Sequence, residues 1–173
     1  MFSRILVPTD FSSPSDAAME YARQLAAKFG ASLHLLHVID DSPVGTTAFV
    51  ADSYVPPTEG LSELMLKEAR KRLERQLSDA DRLRFGVSVE ALIGVPATAI
   101  VDYAFATGTN LIVMGTHGRS GLAHLLMGSV AEHVVRTATC PVLTVRQVTA
   151  PAEATANAQV SMMPQFLSES MAI

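Results

Sequence analysis

With 173 residues, nearly half of them apolar, the chain is long enough to bury a core as one domain without metals or disulfides. Its net charge of -4 argues against a nucleic-acid surface, which carries a basic excess or stripe. A single cysteine, Cys140, excludes an internal disulfide framework, and no apolar run approaches the roughly 18 residues of a membrane span.

Met1-Phe2-Ser3-Arg4 runs straight into a strand pattern with no secretory leader, so the expectation is a cytoplasmic protein. Ile5-Leu6-Val7 reads as a buried strand ending at Pro8-Thr9-Asp10. Ser13, Pro14 and Asp16 then supply a serine N-cap, a proline at the first helical position and an acid at the third. Ala17, Ala18, Tyr21, Ala22, Leu25, Ala26 and Phe29 follow at helical spacing, closed by Gly30. The stretch from Ser32 to Ile39 is a second apolar strand. Its His34 and His37 lie three apart, hence on opposite faces, and cannot share a metal without distortion. The segment from Asp40 to Gly60, rich in Pro, Gly, Thr, Asp and Ser, reads as a long surface excursion.

A second helix is expected from Leu61 to Ala80, with Leu61, Met65, Ala69, Leu73 and Leu77 on one face. Its charged face (Lys67, Glu68, Arg70, Lys71, Glu74, Arg75) reads as solvated, an acidic partner being the sharper alternative. Phe85, Val87, Val89 and Ala91 alternate with polar or small residues, the pattern of a half-exposed edge strand. Gly94-Val95-Pro96 turns into a third helix, with Ala97, Ile100, Val101, Ala104 and Phe105 facing inward. Leu111 to Met114 is the fourth strand, and Val130, Val134, Val135 and Ala138 mark a helix after Gly128. Cys140 sits between that helix and a fifth strand, Val142 to Val145, and reads as a buried structural thiol rather than a catalytic one. From Gln147 the chain becomes a tail. Its Met162, Met163, Phe166, Leu167, Met171 and Ile173 leave open whether it is flexible or docks on a partner subunit.

Strands that alternate with helices imply an α/β fold: a parallel sheet covered on both faces, with ligands bound outside the carboxyl ends of its strands. The loops at those ends carry the candidate chemistry. Gly115-Thr116-His117-Gly118, nine residues, then Gly128-Ser129 joins a buried strand to a helix start, where free backbone N–H groups and the helix dipole favour an anion. Ser129 can cap the helix or bind a phosphate, and Arg119 can pair with phosphate oxygens. An ordinary turn-making glycine loop is the competing reading. Asp10 can accept from a ribose hydroxyl or an adenine amine, or it can cap its own loop. Val38 and Gly94 are placed to pack against a base and to admit a ligand closely. No P-loop, dinucleotide fingerprint, nucleophile elbow or Cys/His metal cluster occurs, and no dedicated catalytic base faces the glycine loop.

These residues resemble the universal stress protein family. The glycine spacing is similar to that family's ATP-binding signature. Ile5 to Ser12, Gly94-Val95-Pro96, Met114 to Arg119 and Cys140-Pro141-Val142-Leu143 resemble its other segments in order. The resemblance spans about residues 1–146, a stress-protein domain, and leaves 147–173 as the tail. It implies an open five-stranded parallel sheet, order 3-2-1-4-5, with helices on both faces, of the adenine nucleotide alpha hydrolase-like type. It also implies a homodimer, commonly paired through strand five (Val142, Leu143, Thr144, Val145). By position, Pro8, Thr9, Asp10 and Val38 resemble the family's adenine and ribose contacts. Met114, Gly115 and Gly118 resemble its ribose and phosphate wall, His117 and Arg119 lie beside the phosphates, and Gly128, Ser129 and Val130 resemble the phosphate cradle. ATP is the implied cofactor, with Mg2+ or Mn2+ able to bridge its phosphates. The leading expectation is a regulatory ATP-binding protein whose occupancy biases assembly or partner binding. The alternatives are a slow ATPase or autophosphorylating enzyme using Ser129 or a nearby hydroxyl, and a nucleotide-free partner-binding module.

Overall fold

The apolar runs assemble into one sheet in the computed structural model, which describes residues 2–41, 59–116 and 127–146. Strands β1 (Arg4–Pro8), β2 (Ser32–Asp40), β3 (Val87–Gly94), β4 (Leu111–Gly115) and β5 (Val142–Val145) pair in parallel in the order β3-β2-β1-β4-β5. This is the order the resemblance implies. The described helices are α1 (Ser13–Phe29), α2 (Glu59–Arg75), α3 (Asp79–Arg84), α4 (Pro96–Ala106) and α5 (Ser129–Thr137).

The two-residue period of the strands divides the core between the sheet's faces. Ile5, Val7, Leu33, Leu35, Leu111 and Val113 point to one face, where Ala18, Met19, Ala22 and Ala26 of α1 and Leu73 of α2 cover them. Leu6, Leu36, Ile112 and Met114 point to the other, under Ile100 and Ala104 of α4 and Ala131 and Val134 of α5. With Ile5, Leu6 and Val7 of β1 and Leu111 to Met114 of β4 buried on one face or the other, these runs could not alternate with polar residues.

Helix boundaries differ from the sequence expectation in two places. The N-cap of α1 is Ser12 rather than Ser13, with Pro14 at the second helical position. The backbone explains this: Ser12 O accepts the first helical bond from Asp16 N (3.0 Å), while Ser12 N donates back to Ser15 Oγ (3.1 Å). The single helix expected up to Ala80 breaks after Arg75. Ser78 starts α3 with a capping box: its Oγ accepts from Asp81 N (3.1 Å), and Asp81 Oδ2 accepts from Ser78 N (2.9 Å). Arg23 of α1 fastens the break, donating from Nε to both Asp81 oxygens and from its terminal nitrogen to Gln76 O (2.8 Å). The apolar spacing reads through this break because Leu77 stays buried beyond it.

Several members of the helical apolar patterns are exposed, namely Tyr21, Leu61, Met65 and Val135, and so, at 73%, is Phe105, which was expected to face inward. α4 meets the sheet through a narrow stripe, Ile100 and Ala104, and Phe105 lies a further 100° or so around the helix. Phe85 belongs to the end of α3 rather than to β3, where it is buried as the helix's C-cap residue. β3 is an edge strand, as its alternation implied, and its edge is partly blocked. Glu90 Oε1 accepts the Ala91 N–H (3.1 Å) and is held by Arg70 (2.6 Å).

Two measurable consequences follow from buried charge. Burial opposes the Asp81 charge, yet hydrogen bonds from Ser78 N and Arg23 hold its carboxyl below the ordinary range. Asp81→Ala leaves the Ser78 and Arg23 donors without that acceptor, and should cost about 2 kcal/mol in chemical denaturation. His34 is pushed below its usual pKa of 6.5 by burial and then by Arg4, and its Nδ1 is buried without a partner. The unfolded chain therefore takes up this proton first. Stability contributed by neutral His34 is complete above about pH 6.5 and falls as pH drops toward the folded-state value. Urea unfolding between pH 7 and pH 5 should show this loss, and His34→Leu should make it shallower.

Candidate functional site

The loop between β1 and α1 is built from its own hydroxyls. Thr9 extends the sheet by one bond, Thr9 N to Leu36 O (2.8 Å), and is then buried. Its Oγ1 accepts from Phe11 N (3.0 Å) and donates to Ser15 Oγ (3.1 Å). Asp10 Oδ1 accepts from Ser12 N (3.1 Å) and Ser12 Oγ (2.5 Å) and lies 3.0 Å from Ser15 Oγ. The loop-capping reading of Asp10 thus holds for Oδ1, and this fixes the direction of the carboxylate at the end of the central strand.

The same loop contains Phe11 at φ +64°, the one non-glycine residue with positive φ among those described. That conformation costs an aromatic residue roughly 1–2 kcal/mol, so its surroundings must hold it there. The His37 ring lies 4.4 Å from the Phe11 ring, and the Arg72 guanidinium carbon is 4.0 Å from the Phe11 centroid on α2. His37 Nδ1 is 2.7 Å from Thr9 O. A carbonyl only accepts, so Nδ1 carries the proton. Sequence reading had weighed His37 only as a metal ligand and had not singled out Arg72. No spacing rule links residues 26 and 61 apart in sequence, so nothing local could have found this stack.

At the neighbouring strands, Val38 is half-buried opposite Leu92, and both pack against the α4/α5 core cluster. Gly94 ends β3 opposite Asp40 with φ +155°, a conformation that L side chains rarely adopt, and so turns the chain into α4. Pro8 is buried at the end of β1. Met114, expected in the ribose wall, is 5% exposed and its side chain belongs to the core, so only its backbone faces the strand ends.

Gly115 has a reason the sequence did not show. A Cβ there would lie 2.9 Å from the Pro14 carbonyl carbon and 3.0 Å from Pro14 Cβ, so the end of β4 touches the first turn of α1. Thr116 N continues the sheet to Val145 O (3.0 Å), and Gly128 N returns to Thr116 O (2.7 Å). These two bonds set the start of α5 directly beside the end of β4. Gly128 is the N-cap and brings no side-chain cap, Glu132 N closes the first helical bond to Gly128 O (2.9 Å), and Ser129 is exposed. The leading amides of α5, from Ser129 and Val130 onward, have no intrahelical acceptor, which suits them to an anion. His117, Gly118 and Arg119 lie outside the described residues.

Cys140 is half-buried beside the α4/α5 cluster, and burial raises its thiol pKa, which keeps it protonated and a poor nucleophile. Among the described residues no group of three or more His, Cys, Asp or Glu is placed to hold a metal, and no helix is long and apolar enough to cross a membrane.

Comparison with known proteins agrees with this architecture. The family model described as the universal stress protein family matches residues 1–146. Universal stress protein MJ0531 of Methanocaldococcus jannaschii is 37% identical over 147 residues, covering 85% of this chain and 84% of its own. The solved structure of MJ0577, from the same organism, has a TM-score of 0.71 at 29% identity and covers 87% of this chain and 99% of its own. A universal stress protein solved in complex with cAMP has a TM-score of 0.54 at 26% identity, covering 83% and 97% respectively. The chain belongs to the universal stress protein family.

Proposed function

We propose that this protein binds ATP at the carboxyl ends of β1 to β4 and that occupancy modulates its self-association or its binding to a partner protein. One observation carries the reading: the uncapped start of α5 is tied by Gly128 N and Thr116 O (2.7 Å) to the end of the strand beside β1. A phosphate group fits there, because the first helical amides and the helix dipole supply what an anion needs. The family relative solved with cAMP supports an adenine nucleotide as the ligand class.

In this reading Pro8, Thr9, Asp10 and Val38 border the adenine and ribose, with Gly94 leaving room at the β3 end. The Met114 and Gly115 backbone lines the ribose and phosphate wall. Gly128, Ser129 and Val130 cradle the phosphates, and His117, Gly118 and Arg119 of the same sequence motif are further candidates for binding them. Thr9 acts through its place in the loop, since its hydroxyl is already committed to Ser15 and Phe11 N. A bound nucleotide would supply phosphate charge and a site for Mg2+ or Mn2+, while the chain's own groups bind and orient it. The unit of residues 1–146 is the binding domain, residues 147–173 are an appended tail, and the setting is the cytoplasm.

The dimer reading rests on the sheet's edges. β5 is an apolar edge strand with Leu143 38% exposed, whereas the β3 edge has one outward amide occupied by Glu90. An apolar edge strand is a template for a second copy.

Calorimetry with ATP, ADP, AMP and cAMP tests the ligand. Wild-type protein should bind ATP, and Ser129→Ala should weaken it about tenfold, the scale of one hydrogen bond to a charged group, with little change in unfolding midpoint. Absence of nucleotide binding by the wild type ends this reading. Sedimentation analysis tests the assembly: the wild type should sediment as a dimer and Leu143→Asp as a monomer, because the charge would be buried at the paired edge. A wild type that stays monomeric throughout removes the β5 interface.

A further inference from the structure

We propose that Phe11, His37 and Arg72 are positioning residues: their stack holds the β1–α1 loop in its binding form and couples the cleft to helix α2. The coupling half rests on the nucleotide reading; the positioning half stands on geometry alone.

The argument starts from strain. Phe11 sits at φ +64°, where a residue with a bulky side chain does not stay unless its contacts outweigh the cost. Three contacts supply that. Phe11 N donates to Thr9 Oγ1 (3.0 Å), the His37 ring lies 4.4 Å away at 42°, and Arg72 covers the Phe11 ring at 4.0 Å. His37 is itself fixed by its Nδ1–H bond to Thr9 O (2.7 Å), so the imidazole holds the loop twice, by ring and by hydrogen bond. Asp10 is bonded covalently to Phe11, and a change in the Phe11 backbone re-aims the Asp10 carboxylate and its bonds to Ser12. The stack therefore sets the direction of a group proposed to meet the nucleotide.

Arg72 gives the device its reach. It projects from α2 and is itself exposed, so it adds little to global stability. Its contribution is local: it favours the loop conformer in which Phe11 is left-handed. If that conformer is the competent one, apparent affinity scales with its population, and anything that shifts α2 changes nucleotide binding. By the same linkage, a bound nucleotide changes the freedom of α2.

Two readouts on the full chain separate the halves. The first needs no ligand: hydrogen exchange at the Phe11 and Ser12 amides should speed up in Arg72→Ala and return toward wild type in Arg72→Lys, with unchanged unfolding midpoints. Unchanged exchange in Arg72→Ala overturns the positioning role whatever ATP does. The second is calorimetry with ATP. Arg72→Ala should bind about two- to fivefold more weakly, the scale of one exposed cation–π contact. Phe11→Gly, free to adopt positive φ and so expected to fold, should weaken binding at least as much. In Phe11→Gly the further change Arg72→Ala should then have no additional effect, since the stack is already gone. Additive losses, or wild-type affinity in Arg72→Ala, overturn the coupling. A wild type that binds no ATP overturns the nucleotide reading and the coupling together, and leaves the exchange result to decide the positioning role.

Discussion

The candidate site depends on one steric constraint, the contact between Gly115 and Pro14. A Cβ at residue 115 would enter the backbone of the first turn of α1, so only glycine lets the end of β4 lie against that turn. This contact brings together the loop after β1, which carries Asp10, and the strand end from which the chain reaches α5. β1 and β4 are paired neighbours, so their loops leave the sheet side by side. Two backbone bonds, Thr116 N to Val145 O and Gly128 N to Thr116 O, then bring the start of α5 to the same place. The loop that carries the Asp10 carboxylate and the start of α5 thus lie at the same end of the sheet.

Rigidity on the β1 side comes from short polar side chains. Thr9, Asp10, Ser12 and Ser15 bond one another within a few residues, which fixes much of the loop locally. The exception is Phe11, whose backbone strain is held by His37 and Arg72 from two other elements. Local hydroxyls define the loop, and a long-range stack selects one conformer of it. Placing strain beside a proposed binding site fits the general pattern that such residues persist where the surroundings over-determine them.

The sheet's two edges differ in a way that bears on assembly. At β3 the Glu90 carboxylate turns back onto the Ala91 amide and is clamped by Arg70. At β5 an apolar side chain stands partly open. In the proposed dimer, pairing at the β5 edge with interference at the β3 edge would give a closed pair rather than an open-ended stack.

Strand identity, strand number and the alternation with helices were legible in the sequence. Ile5-Leu6-Val7 and Leu111 to Met114 are continuous apolar runs, which only a strand covered on both faces requires. The family motifs likewise carried the sheet order, since their sequence segments match those of relatives with the same fold. Helix ends were less legible. The Ser12 cap was missed by one residue, and the break before Ser78 was hidden by an apolar period that runs through it. The inward face of α4 was overcounted, as exposed Phe105 shows, because periodicity reports a face but not how wide a stripe the sheet covers.

The sequence by itself determined which residue types stand at the carboxyl ends of the strands: a carboxylate after β1, glycines at the ends of β3 and β4, and a serine at the start of α5. Local chemistry writes these, since turns, caps and buried strands each demand particular side chains within a few residues. Only the tertiary structure decided how those pieces act. It showed Gly115 as a packing contact with Pro14, Met114 as core, Asp10 Oδ1 as bonded within its own loop, and Arg72 as the residue over Phe11. Each of these joins elements far apart in the chain, and contacts of that kind leave no periodic trace in sequence because the packing of the sheet alone brings them together.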